Sequence, residues 1–186
     1  MTYRQKAAHS DFIGDSNLGI EILEVNGRKL FSKIKFPPEG NQYSESQIKI
    51  FEDLFLNEAA YAKKLSDLGL GPKFEGVVKG PDGKYRIVTE FVEGFEIHLD
   101  DIPKNFEKLT VQNIKDMQAA AKKLADVGIE TVDLQFRIGK NGKVYVIDPE
   151  YFENLANSTP AQREITKQLI ERDFANLISA HSRLGH

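Results

Sequence analysis

Asp133 and Asp148 stand fifteen positions apart, one at each end of a stretch patterned as a hairpin. Leu134, Phe136 and Ile138 alternate along its first arm. Val144 and Val146 alternate along the second, with Asp148 next in that series and Tyr145 and Ile147 on the other face. Between the arms lies Gly139-Lys140-Asn141-Gly142, and Asn-Gly predicts a tight turn because both residues tolerate positive φ. A hairpin brings its open ends together, so the two carboxylates would face one small volume. Acids placed so would bind a divalent cation or divide acid–base work between them. The same positions also suit plain turn and cap residues, since Asp is common at strand ends.

The elements that would position these acids follow from periodicity. Residues 12–36 read as a strand–strand–strand unit, with a glycine-bearing turn from Gly14 to Gly19 and a second hairpin signal at Asn26-Gly27. On the run from Leu30 to Phe36, Leu30, Ser32, Ile34 and Phe36 share one face, and Phe31, Lys33 and Lys35 share the other. Ile48, Phe51, Phe55, Ala59, Ala62 and Leu65 recur at helical spacing, which predicts a helix from Ser44 to Leu68, in one piece or two, closed by Gly69. Two further strands, Phe74–Val78 and Tyr85–Phe91, flank Pro81-Asp82-Gly83. Glu93–Lys108 reads as a linker. Thr110 caps a second helix reaching Val127. Thr159, Pro160 and Gln162 open a third, with Ile165, Leu169, Phe174 and Leu177/Ile178 as its stripe.

Composition narrows the function classes. With 40% apolar and 28% charged residues in 186, the chain is ordinary globular material, long enough for one sizeable core or two small lobes. A net charge of −3 without a basic stripe argues against nucleic acid as a main partner. The absence of cysteine removes disulfides and thiolate metal sites. No apolar run approaches the ~18 residues of a bilayer span, and the N-terminus lacks a secretory h-region, so the expectation is a protein made in a cytosol and independent of membranes.

In this order the parts resemble a protein-kinase-like fold reduced to its minimum, over roughly residues 12–152. The implied class is α+β in two lobes: residues 1–92 as an N-lobe with an antiparallel sheet and one helix, residues 93–186 as a truncated helical C-lobe carrying the hairpin. The resemblance implies a role for each matching residue. Gly14 and Gly19 would bound the loop over the phosphates. Lys33, with Lys35 as its rival, would orient the phosphates, and Glu58, in Asn57-Glu58-Ala59-Ala60-Tyr61, would hold that lysine. Val88-Thr89-Glu90-Phe91-Val92 resembles the hinge, where backbone groups of Glu90 and Val92 would bind adenine. Asp148, in Ile147-Asp148-Pro149-Glu150, and Gln135 would hold Mg²⁺. Asp133, in Asp133-Leu134-Gln135, would be the base, with Glu130 the alternative in a second register.

The chain departs from the family in lacking His-Arg-Asp and in ending 36 residues after Glu150. That truncation is similar to the small effector kinases that bacteria inject into host cells. The resemblance implies a monomeric Ser/Thr protein kinase using ATP and Mg²⁺, present in the bacterial cytoplasm before export to a host cytosol. Its partner would be a protein substrate, with a host chaperone as one candidate. A pseudokinase that only binds, and a small-molecule phosphotransferase, are the competing expectations.

Overall fold

The computed structural model describes residues 5–6, 19–34, 43–80, 83–99, 105–131, 134–149, 152–154 and 159–183. The chain divides into two compact units, Met1–Val92 and Glu93–His186. Its class is mixed α+β, with antiparallel sheets and three α-helices among the described residues.

In the first unit, Asn26 and Gly27 both take positive φ (52° and 75°). This joins β2 (Ile20–Val25) to β3 (Arg28–Lys33) by a two-residue turn whose twist suits the strands. Strands β4 (Phe74–Lys79) and β5 (Tyr85–Glu90) complete the sheet with β1 (Gln5–Lys6), in the order β1-β2-β3-β5-β4. Helix α1, Glu45–Asp67, is a single piece of 23 residues. Ser44 caps it reciprocally with Gln47, and Gly69 follows its end at φ +70°. Phe55 and Ala59 of α1 pack with Ile87, Ala62 and Phe74. Ile87 lies opposite Lys33 in the β3–β5 register, so the helix covers the sheet face that carries Lys33. The other face holds Ser32, which is fully buried, and an ion pair, Arg86 to Glu21 at 3.3 Å. Ile48, expected on the buried stripe, is exposed, because it falls in the first turn of α1 and the packing begins further along at Phe55.

The second unit corrects the linker reading of Glu93–Lys108. Gly94–His98 is strand β6 and pairs along its whole length with β8, Gln135–Gly139. With β9, Val144–Ile147, these form a sheet in the order β6-β8-β9. Its apolar face, Ile97, Phe136, Ile138 and Val146, is buried along with Ile114, Met117 and Ala121 of α2, Val111–Asp126. Two more strands, β7 (Ile129–Thr131) and β10 (Phe152–Asn154), pair with one another beyond the open end of the hairpin. The unit thus carries two short antiparallel sheets beside its two α-helices, Val111–Asp126 and Pro160–Ser182.

The hairpin turn also differs from expectation. Asn141 is absent from the positive-φ residues, and Gly142 alone takes φ +78°. Gly142 N donates to Gly139 O at 2.8 Å, and Gly139 N to Lys143 O at 2.9 Å. This is a three-residue connection, a turn followed by one left-handed residue, and Asn141 uses its side chain to accept from Lys143 N. Asn113, inside the α2 capping box with Thr110, donates its Nδ2 to Gly142 O at 3.0 Å and so ties the turn to the helix start.

Helix α3, Pro160–Ser182, has the expected Thr159 cap and Pro at its start. Its expected stripe is only partly buried: Phe174 is covered, whereas Ile165 and Leu169 are 57% and 45% exposed. At the first half of the helix, charged contacts take the place of apolar packing. Lys167 pairs with Asp126, and Lys122 with Glu171. At the far end His181 is buried edge-on to Phe106, and its Nε2 meets Leu109 O at 2.6 Å. No described helix is long and apolar enough to cross a membrane.

Candidate active site

Of the residues singled out by the resemblance, Lys33 and Glu58 meet. Lys33 ends β3 on the face toward α1, and Glu58 lies on the buried side of that helix. Lys33 Nζ stands 2.8 Å from Glu58 Oε1, with the two side chains 11% and 4% exposed. Lysine and glutamate are rarely this buried unless paired, and a buried pair recovers little of its desolvation cost. Lys35, the rival, lies outside the described residues.

Gly19 is described and Gly14 is not. Gly19 takes φ +106°, and a Cβ built there would sit 2.9 Å from Ile34 Cβ. Its carbonyl accepts from Ile34 N at 3.0 Å, so packing of β2 against the end of β3 accounts for this glycine. Glu90 is exposed at the end of β5, and its amide is committed to Lys73 O at 2.8 Å. Val92 is half-buried.

In the second unit, register puts Gln135 opposite Ile147, the residue just before Asp148. Asp148 itself takes φ +49°. A non-glycine residue in the left-handed region is uncommon, though Asp enters it more readily than most, and such positions cluster at functional sites. This conformation breaks the alternation of β9, so Asp148 does not continue the line of Val144 and Val146. Asp133 lies outside the described residues. Glu130, its alternative, is exposed on β7, directly across from Glu153 of β10.

Two residues that the linker reading passed over, Glu96 and His98, share this end of the unit. Glu96, His98, Gln135 and Arg137 occupy one face of the β6–β8 pair. Arg137 Nη1 donates to Glu96 Oε1 at 2.5 Å, and both side chains are 9% exposed. Arg137 Nη2 reaches Gly94 O at 3.3 Å, and His98 Nε2 lies 4.0 Å from Glu96 Oε2. Burial pushes the Glu96 carboxyl above the usual carboxylate range, Arg137 and His98 oppose that rise, and the negative charge of Asp148 adds to it. The signal for the missed strand was present: Phe95 and Ile97 alternate with Glu96 and His98, a period of two.

Among the described residues no group of three or more His, Asp and Glu side chains is arranged to hold a metal. The two residues expected to hold a nucleotide-borne Mg²⁺, Asp148 and Gln135, are both described.

Compared with known proteins, the chain matches no protein-family model and no curated protein.

Proposed function

We propose that the chain is a minimal two-lobed protein-kinase-like enzyme that transfers phosphate from Mg-ATP to a protein Ser/Thr hydroxyl. The observation that carries this reading is the buried Lys33–Glu58 pair, strand lysine to helix glutamate. A buried ion pair is a weak device for stability, so its occurrence here favours a functional use.

The bound nucleotide would supply the transferable phosphoryl group and its cation. Lys33 would neutralise phosphate charge, Glu58 would keep the ammonium group in place, and Gln135 with Asp148 would hold the cation. Asp133 would take the proton of the acceptor hydroxyl as its oxygen bonds to phosphorus and the bond to the ADP oxygen breaks. Catalysis of this kind is mainly positioning and charge neutralisation. By the same resemblance we place the chain among injected bacterial effectors, acting as a monomer on a host protein for which a chaperone is the first candidate.

The experiment is phosphoryl transfer from labelled ATP to itself or to proteins of a eukaryotic lysate, with ATP binding followed in parallel. Asp133→Ala should lower transfer by about 10²–10⁴ and leave ATP affinity nearly intact, as loss of a positioned base does. Glu130→Ala should stay within a few-fold of the parent. The reverse ranking would move the base to Glu130. ATP binding without any transfer would favour a binding module instead.

A further inference from the structure

The covered side of α3 changes chemistry along its length. In the first half Arg163, Thr166, Lys167 and Ile170 are half-buried. In the second half Phe174 and His181 are buried, and Leu177 and Ile178 half-buried. These positions recur at helical spacing, so they form one stripe, largely polar at its start and apolar toward its end. The polar part seats on the last turn of α2. Lys167 pairs with the Asp126 carboxylate, Arg163 Nη1 donates to Asp126 O at 3.3 Å, and Lys122 pairs with Glu171. Cations at that end of a helix are favoured by its dipole and by its orphan carbonyls. The side chains of the two ion pairs are between 29% and 57% exposed, so water and salt reach them. An exposed pair of this kind shifts an equilibrium by only about two- to fivefold. The apolar part is held differently. Phe174 is covered, and His181 is buried edge-on to Phe106 with its Nε2 at 2.6 Å from Leu109 O. Apolar burial does not depend on charge.

We propose that α3 is a strap in two parts: residues 174–182 are a fixed anchor, and residues 160–171 are a latch that ionic contacts hold on the end of α2 and that opens while the anchor stays docked. Gly128, at φ +70°, turns the chain from the end of α2 into β7, so the latch closes at the joint between that helix and that strand. Local opening of this kind is expected where few apolar contacts hold an element. The latch responds to ionic strength and is independent of nucleotide and cation.

The test is amide hydrogen exchange of the full chain, read residue by residue by NMR. It is run at about 0.1 M and about 1 M KCl, between which the screening length falls from about 10 Å to about 3 Å. Protection at residues 167–170 should fall about tenfold at the higher salt, as screening of the latch contacts together requires, while protection at residues 174–180 should change by less than about twofold. Comparing two halves of one helix cancels the effect of salt on the exchange chemistry itself. Ordinary fraying of the helix start would not respond to a substitution on α2, so Asp126→Asn separates fraying from the latch. At the lower salt that variant should lose about threefold in protection at residues 167–170, keep the parent's protection at residues 174–180, and show a smaller response to salt. Should Asp126→Asn disturb the anchor as well, Lys167→Met, which leaves α2 intact, decides by the same readout. Equal loss of protection in both halves at high salt would mean that α3 opens as one body and would overturn the proposal. So would a first half that does not respond to salt, or variants with the parent's protection and its full salt response.

Discussion

Lys33 and Glu58 can be tested as a pair before any activity is known. Lys33→Met leaves Glu58 buried without its 2.8 Å partner. Removing one member of a buried pair costs about 3–5 kcal/mol, whereas replacing both by apolar residues of similar volume is often neutral. We expect Lys33→Met to lower unfolding free energy by about 3 kcal/mol, and Lys33→Met with Glu58→Leu to recover most of it. Denaturant melts of the parent, Lys33→Met, Glu58→Leu alone and the double variant give the coupling directly. Both variants should lose phosphoryl transfer, which separates stability from function at one position. Glu96 gives a pH-dependent counterpart. Its carboxyl is raised above its ordinary value of 4.5, chiefly by burial, so the folded state favours the protonated form. Its contribution to stability is therefore full below about pH 4.5 and is lost as pH rises through the raised value. Glu96→Gln fixes the neutral form. The stability of that variant relative to the parent should improve between pH 4 and pH 8. A gap that widens in the parent's favour over the same range would contradict the burial argument.

Among the elements, those governed by local chemistry were legible in the sequence. Ser44 with Gln47, Thr110 and Thr159 with Gln162 mark helix starts because a cap is a contact across three residues. Asn26-Gly27 marks a two-residue turn for a similar reason. Strand alternation put Lys33 on the face opposite Ser32 and Ile34, and its pairing with Glu58 was expected only from the resemblance to the kinase family. What escaped were short strands whose partners are distant: β6 pairs with β8 some forty residues on, and β7 and β10 have three residues each. Strands of three residues, β7 and β10, carry too few for a period to show. The left-handed Asp148 escaped as well, since nothing in the residue type demands that conformation. Gly94 offers a test of β6. A Cβ built there would stand 1.8 Å from Ile138 O, so backbone approaches backbone with no flexible atom to yield. Gly94→Ala should force β6 from β8 and destabilise the second unit by about 3 kcal/mol or more, a value reserved for clear steric mechanisms. Hydrogen exchange at Ile97 and Phe136 would report it. Wild-type protection in that variant would mean that the approach relaxes cheaply.

At the scale of the whole molecule, both compact units bury acid–base pairs, Lys33–Glu58 in the first and Glu96–Arg137 in the second among them. Lys33 is itself assigned to the phosphates, and Arg137 shares β8 with Gln135, which is assigned to the cation. The proposed function assigns Lys33 to the phosphates and Asp148 to their cation, so a variant at either residue should weaken Mg²⁺-dependent ATP binding. The most direct measurement is ATP affinity by calorimetry, with Mg²⁺ and with EDTA, for the parent and Asp148→Asn. The substitution keeps the side-chain shape and removes one charge. We predict that the parent binds ATP more tightly with Mg²⁺, and that folded Asp148→Asn loses that gain by an order of magnitude or more. A folded parent that binds no ATP, or an Asp148→Asn protein with the parent's full Mg²⁺ dependence, would contradict the account.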